Sequence, residues 1–384
     1  MKIVHVMMCG PVTDGWSYQD NLLTKYHKKM GHDVTIITSQ WIWGSDGVLE
    51  RFDKTNYVND DGVKVLRLPI KGNLPFEYKF KRYIGLYDSL EAEKPDVIFI
   101  HNVSFCDVSV VARYLKRHEN VIAYADSHSD FSNSGTNRLA KNVLHKIIWR
   151  RKAKKIEPYI RRFYGVLPAR VDFLVDIYKI PKEKTELLFL GADDEKVAAV
   201  DREGFRRFLE DKYGISQTDF LIVTGGKIDS AKRQTLELMQ AVKSLGIAEI
   251  KLLVFGSVEA NLKEKLESYL DCRQITYIGW IDASESYNYF GAADLVVFPG
   301  RHSVFWEQVV AQGIPLVCKY WDGTTHVNTD GNVLFLYNDS ADEIKNVITR
   351  FFDDKDFYNE MKQNAQSARS KFLYSVVAEK SLQS

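Results

Sequence analysis

Short apolar runs alternate, along almost the whole chain, with segments whose apolar residues recur at helical spacing. In the first half the runs are Ile3–Met7, Val34–Thr38, Val63–Leu68, Val97–Ile100, Val121–Ala125 and Gly165–Leu167. Helix-compatible segments between them include Tyr18–Met30, Lys79–Ala92 and Asp107–Arg117. In the second half the runs are Leu221–Thr224, Ile250–Phe255, Thr276–Ile278, Leu295–Phe298 and Pro315–Cys318. Gln234–Val242, Ala260–Leu270, Ser284–Phe290 and Ser303–Gln312 are the helical segments there. Regular alternation of strand and helix predicts parallel sheets covered by helices on both faces. At 384 residues the chain exceeds one ordinary core, and the pattern restarts near residue 220. Two doubly wound α/β domains follow, with a junction near Gly191-Ala192-Asp193-Asp194.

Composition changes this picture little. Apolar content of 45%, charged content of 27% and a net charge of +1 are ordinary for a soluble domain and give no global field for nucleic acid. Cys9, Cys106, Cys272 and Cys318 are scattered without a CxxC spacing and three adjoin apolar runs, which predicts buried free thiols in a reducing cytosol rather than a disulfide framework or a zinc site. No run approaches the length of a membrane span, and the opening MKIVHVMM reads as a strand, so a cytoplasmic location is expected. One segment departs from the average: Asn137–Tyr164 carries ten Lys or Arg against the single acid Glu157, with Leu144, Ile147, Ile148, Trp149 and Phe163 among them. A basic helix with an apolar stripe suits the surface of an anionic membrane, and equally a solvated helix face with a core stripe.

Chemistry concentrates at strand ends. Leu221–Thr224 runs into Gly225-Gly226-Lys227 and then Lys232-Arg233, just before a helix. Glycines let backbone approach a ligand, and cations at a helix N-terminus can neutralise a diphosphate without a metal. Leu295–Phe298 stops at Pro299-Gly300, followed by a polar loop and a segment carrying Glu307 and Gln308. Neither GxxxxGK[ST] nor GxGxxG is present, which lowers ATPase and dehydrogenase readings. In the first domain Gly10 and Gly15 lie in the loop after the first strand, and His128 stands just past a strand end among polar neighbours.

Taken in order, these motifs resemble the family 4 glycosyltransferases. Gly15 stands at the second glycine of the family's first loop, and Gly31-His32-Asp33-Val34 at the end of its first helix. Asp126-Ser127-His128 is similar to its strand-end histidine motif, and Leu190-Gly191-Ala192-Asp193 to its domain junction. Gly226 through Arg233 resembles its Gly-Arg-Leu-x-x-x-Lys-Gly turn, with Lys227 in place of arginine. Tyr277-Ile278-Gly279-Trp280, Ala293-Asp294 through Pro299, and Arg369 through Ala378 match later motifs. One departure stands out. The family's two glutamates lie eight positions apart, whereas here Gln308 holds the second position and Gly300 the first, with Arg301, His302 and Ser303 in the loop and Glu307 one residue early.

The resemblance implies a GT-B fold, two Rossmann-like domains facing across a cleft. Residues 1–194 would form the acceptor-side domain, 195–365 the donor domain, and 366–384 a helix packing back on the first. It implies retaining transfer from a nucleotide-diphosphate sugar to a saccharide or lipid-linked saccharide, in surface-polysaccharide assembly. His128, Lys227 and Lys232 would be catalytic. Gly15, Gly226, Arg233, Gly279, Trp280, Ile281, His302, Ser303, Val304 and Glu307 or Gln308 would hold the donor, Glu307 being favoured for the ribose. Trp16, Tyr18, Trp41 and Trp43 would stack on acceptor sugars, unless they pack in the core. No carboxylate constellation for a nucleophile is evident, and no cofactor or metal is implied, since Asp60-Asp61, Asp193-Asp194 and Asp353-Asp354 read as turns. With relatives acting on lipid-linked acceptors, Asn137–Tyr164 gains weight as a contact with an anionic membrane at the cytoplasmic face. A non-catalytic nucleotide-sugar-binding protein and a sugar-nucleotide epimerase of the same fold are the rival readings.

Overall fold

The computed structural model describes residues 1–44, 48–72, 80–131, 133–134, 140–230 and 232–383. Lys79 of one expected helix, residues 137–139 of the basic stretch, and Ala231 lie outside them. The chain forms two units, Met1–Phe189 with Val377–Ser384, and Leu190–Val376.

In the first unit the strands are β1 (Lys2–Met7), β2 (Asp33–Ser39), β3 (Trp41–Trp43), β4 (Leu49–Arg51), β5 (Asn56–Val58), β6 (Lys64–Leu68), β7 (Val97–Ile100), β8 (Ile122–Ser127), β9 (Arg162–Gly165) and β10 (Thr185–Leu187). Eight of them form one sheet in the order β10-β9-β8-β7-β1-β2-β6-β5, parallel except where β5 meets β6, and β3–β4 is a separate antiparallel hairpin. Every residue of β7 is buried, as are Ile3, Val4 and Val6 of β1. Burial on both faces is why these strands read as unbroken apolar runs.

β9 begins three residues before the expected Gly165. A Cβ at Gly165 would lie 2.4 Å from the backbone nitrogen of Val171, so this glycine marks where the helix Pro168–Asp176 packs on the strand end. The basic stretch is not one helix either. It runs as a π-type helix over Ala140–Trp149, an α-helix over Arg150–Ile156 and a 3-10 turn at Glu157–Tyr159, then enters β9. Pro158 lacks the N–H that would continue the helix.

The second unit holds β11 (Phe220–Gly225), β12 (Ile250–Phe255), β13 (Ile275–Tyr277), β14 (Leu295–Phe298), β15 (Leu316–Lys319) and β16 (Val333–Leu336), all parallel in the order β13-β12-β11-β14-β15-β16. Its core includes Ile222, Leu252, Val254, Leu295, Val297 and Val317, packed under helices that carry Leu236, Met239, Ile344 and Ile348. The order reverses between β11 and β14, and in the first unit between β1 and β7. Ligands of such sheets bind outside the carboxyl ends of strands at these switch points.

The closing segment differs from the single helix expected over 366–384. The helix Lys355–Ala368 gives way to a 3-10 turn at Arg369–Phe372, and a last helix spans Tyr374–Ser381. The break at Leu373 exists because the chain there pairs with the junction: Ala192 N–H donates to the Phe372 carbonyl at 2.8 Å, and Tyr374 N–H to the Ala192 carbonyl at 3.0 Å. These bonds also place Leu190–Asp194 in the second unit, ahead of the expected boundary at 195.

Candidate active site

At the second switch point three loops meet. After β11, Gly226 takes φ 116°, and its carbonyl lies so close to Gly256 that a Cβ there would approach it to 1.9 Å. Only glycine fits at Gly256, and the loops after β11 and β12 are zipped by Ile228 N–H to the Ser257 carbonyl, 2.8 Å, and Glu259 N–H to the Ile228 carbonyl, 2.9 Å. The third loop follows β14, where a Cβ at Gly300 would meet the Lys232 backbone at 3.4 Å.

Lys232 and Arg233 directly precede the helix Gln234–Leu245, with Arg233 at its N-cap. Cations at the positive end of a helix dipole are unfavourable unless an anion joins them. Lys232 is partly buried, and burial pulls its ammonium below the ordinary lysine range, with Asp229 opposing. Lys227 is more exposed, at 59% of its side chain, and lies 3.6 Å from Asp229 and 3.7 Å from Glu259. Beyond β13, Gly279 has φ 75°, its carbonyl accepts from Gly256 N–H at 2.7 Å, and Trp280 is 73% exposed. Ile281 beside it is partly buried.

The helix after β14 starts at Phe305, two residues later than expected, with Val304 exposed at its cap and the Ser303 carbonyl accepting from Trp306 N–H at 2.9 Å. Trp306 is fully buried, which sets the register of the next two residues. Glu307 is also fully buried; its Oε1 accepts from Nε2 of His302 and from Nε2 of His326, both at 2.8 Å. Its Oε2 is closed off from solvent and has no hydrogen-bond partner among the described residues. Burial alone would raise this carboxyl, but the two imidazoles more than offset it and hold it well below the usual carboxylate range. The three ligating atoms lie within 4.8 Å of one another and could hold a metal ion. However, two Nε2 atoms at 2.8 Å from one oxygen is the geometry of charge-assisted hydrogen bonds. Gln308 turns elsewhere, its Nε2 donating to Ser286 Oγ at 2.9 Å.

His326 was not legible as a site residue. It sits in the 3-10 turn Thr325–Val327, nineteen positions from Glu307, with no motif around it.

In the first unit, Gly15 has φ 78° in the loop after β1, just ahead of the helix Gln19–Lys29. The aromatic residues of this region are not core: Tyr18 is 57% exposed and Trp43 38%, while Trp16 and Trp41 are partly buried. Trp16 and Tyr18 pack edge to face at 5.5 Å, and Thr13 ties the loop to β3 through Trp43 N–H, 2.9 Å.

His128 follows β8 with its side chain 35% exposed and Nε2 3.6 Å from Asp126 Oδ1. Asp126 is fully buried and also faces His101 Nδ1 at 3.2 Å, an atom that lies 3.0 Å from Asp20. Burial would raise the Asp126 carboxyl, but His101 and His128 drive it well below its usual range. This pair was not legible in the sequence. Asp20 and Asp126 converge on His101 although 106 sequence positions separate them, a proximity only the sheet order creates.

Two family models match the sequence, "Glycosyltransferase Family 4" over residues 21–196 and "Glycosyl transferases group 1" over residues 205–368. The chain belongs to the family 4 glycosyltransferases. No curated protein matches its sequence. Among solved structures, this glycosyltransferase is similar to Anabaena HepE in complex with UDP, at 14% identity and TM-score 0.68, covering 99% of this chain and 98% of that one. It is similar to WaaG, a glycosyltransferase involved in lipopolysaccharide biosynthesis, at 13% identity and TM-score 0.63, with 98% of each chain covered. It is also similar to UDP-GlcNAc 2-epimerase from Neisseria meningitidis, at 12% identity and TM-score 0.63, covering 100% of this chain and 99% of that one. At such identities the likeness shows the GT-B fold alone.

Proposed function

We propose that the protein transfers a sugar, with retention and without a metal, from a nucleotide-diphosphate sugar to a saccharide or lipid-linked saccharide acceptor in the assembly of a cell-surface polysaccharide. One observation carries the donor assignment: Lys232 and Arg233 stand at the N-terminus of Gln234–Leu245, against the helix dipole, with Lys232 partly buried beside Gly300. That arrangement is costly until a diphosphate occupies it. Lys232, with Lys227, would stabilise charge developing on the departing diphosphate, a contact worth about 3–4 kcal/mol when preorganised. Gly226 lets the phosphates approach the backbone. Gly279, Trp280 and Ile281 would meet the base. In the loop after β14, His302, Ser303 and Val304 would line the sugar and phosphate side, and Glu307, whose Oε2 has no hydrogen-bond partner among the described residues, would take a ribose hydroxyl once movement of that loop uncovers it. His128 would bond a sugar hydroxyl, and the exposed Trp43 and Tyr18, with Trp16 and Trp41, would stack on the acceptor.

The HepE and WaaG likenesses support a UDP-type donor and a polysaccharide role. Among the described residues no helix is long and apolar enough to cross a membrane. A surface contact is supported instead by Val143, Leu144, Ile147 and Ile148, all exposed on the helix Ala140–Trp149, with the exposed Arg151, Lys154 and Lys155 one to two turns on. Apolar groups that enter the interface beside cations that meet anionic headgroups are what such a helix needs.

A second reading, sugar-nucleotide epimerisation, is favoured by the Asp126 and Glu307 networks, which supply buried carboxylates and histidines for acid–base work. A thermal-shift panel of UDP-, GDP- and ADP-sugars, repeated with Lys232→Ala, tests the donor site. Stabilisation by one nucleotide class, lost in the variant, is expected; no response from any of them overturns the assignment. Incubation with the responding donor then separates the chemistries: free nucleoside diphosphate marks transfer, and an altered sugar still on its nucleotide marks epimerisation.

A further inference from the structure

Three buried histidines form a continuous chain beneath the first unit's sheet. His27 Nε2 lies 3.1 Å from the Ala378 carbonyl and 2.9 Å from Ser381 Oγ. His27 Nδ1 lies 3.0 Å from His5 Nε2, and His5 Nδ1 lies 2.9 Å from His101 Nε2. The far nitrogen, His101 Nδ1, faces Asp20 Oδ1 at 3.0 Å and Asp126 Oδ2 at 3.2 Å. His5 and His27 are fully buried and His101 is nearly so.

Each contact between two ring nitrogens needs one hydrogen, and the two ends of the chain decide where the hydrogens go. The Ala378 carbonyl can only accept, and it already accepts from Ser381 Oγ at 2.8 Å, so His27 Nε2 carries a hydrogen. A neutral His27 then offers a bare Nδ1, which His5 must fill with an Nε2 hydrogen. A neutral His5 in turn offers a bare Nδ1 to His101, whose Nε2 must donate. At the other end Asp20 and Asp126 lie within ion-pair distance of His101 Nδ1, though neither is aligned for a hydrogen bond, and their two charges favour a hydrogen there. His101 is therefore protonated at both nitrogens, and the one cation in the chain sits where the carboxylates are.

We infer that His101 is a positioning residue, a fixed imidazolium that holds Asp20 and Asp126 in place beside His128, and that its second proton is dictated by the Ala378 carbonyl through His27 and His5. This rests on the proposed role of His128. The groups facing the chain agree with the assignment. Burial lowers His5 well below the ordinary histidine range, with His27 and His101 adding to the effect. Burial likewise lowers His27 to about 3, against the pull of the Ala378 carbonyl and with help from His32 and His101. Burial would lower His101 too, but Asp126 and Asp20 push it up to about 9. Asp126 Oδ1, which faces His128, is itself fixed by the Asn102 N–H at 2.9 Å.

The test is a long-range proton–nitrogen spectrum of the full chain labelled with 15N-histidine, recorded from pH 6 to pH 9, which needs no donor. The Nε2–H tautomer for His5 and for His27, and for His101 a doubly protonated ring that persists until about pH 9, are expected. A neutral His101 at pH 7, or Nδ1–H tautomers for His5 and His27, overturns the assignment whether or not the protein transfers sugar. His27→Leu then cuts the chain. With His5 then free to donate from Nδ1, the doubly protonated signature of His101 should be lost at a lower pH than in the wild type and the pH–rate profile of transfer should shift, while stabilisation by UDP is unchanged. An unchanged pH–rate profile would leave the chain a structural feature and refute the positioning role. The wild-type spectrum decides the proton assignment even if His27→Leu fails to fold.

Discussion

Glu307→Gln isolates the charge of the buried triad with little change of shape. In the wild type one carboxylate oxygen accepts two imidazole hydrogens at 2.8 Å, out of contact with solvent. A hydrogen bond to a charged group contributes about 1.5–3 kcal/mol, a neutral one about 0.5–1.5. Losing the charge on two such bonds therefore costs about 2–3 kcal/mol. For a domain of this size each kcal/mol moves the melting temperature by about 2–4 °C, so a fall of about 4–12 °C is expected at pH 7. Because the folded carboxyl lies below its unfolded value, its contribution is fully present above about pH 4.5 and drains away as pH falls through the folded value. The gap between wild type and variant should accordingly narrow in acid. Differential scanning calorimetry at pH 7, 5 and 4 reads both effects. A variant melting within about 1 °C of wild type at pH 7 would refute the claim that the triad is a charged, stabilising unit.

Lys232→Ala should lower turnover by about 10²–10³-fold, the loss typical of one preorganised donor to developing charge. Lys227→Ala should cost less, because its exposed ammonium already faces Asp229 and Glu259; initial rates with the responding donor would show the order. Chelation with EDTA should leave rate and melting temperature unchanged, and added Zn²⁺ should not raise the latter; a metal-dependent rate would reassign His302, Glu307 and His326 as ligands. Replacing Ile147 and Arg151 together by Glu should weaken co-sedimentation with vesicles containing phosphatidylglycerol, and unchanged binding removes the membrane reading. Arg150 and Lys152 make poor test sites, since Arg150 donates to the Ile177 carbonyl at 2.6 Å and Lys152 to the Cys106 carbonyl at 3.0 Å.

The sheets were legible where strands are buried on both faces. Val97–Ile100, Ile250–Phe255 and Leu295–Phe298 fall where the apolar runs placed them. The three-residue strands β3, β4, β5 and β10 have no fully buried position to mark them, unlike the equally short β13 with its buried Ile275, and β16 is only half buried. The cysteines are free as expected, although only Cys318 is fully buried. Positions whose backbone calls for glycine, such as Gly226 with φ 116°, could be read from their place at a strand end. Those whose role depends on a distant partner could not: His5, His27 and His101 look like ordinary lone histidines until the order β7-β1-β2 brings them together.

Both units close a fully buried carboxylate with two histidines at the carboxyl edge of a parallel sheet, Asp126 between His101 and His128, and Glu307 between His302 and His326. A lysine or arginine partner would fix the charge of such a pair at every physiological pH, whereas an imidazole can give up its hydrogen near neutrality. In the first unit that freedom is removed on one side, because the carbonyl-terminated chain through His27 and His5 leaves His101 no neutral form that satisfies both ends. His128, 35% exposed, is outside that constraint. The pairing thus puts a locked cation on one side of the carboxylate and a partly exposed imidazole on the other. If His128 bonds a sugar hydroxyl as proposed, that division keeps the carboxylate behind it ionised.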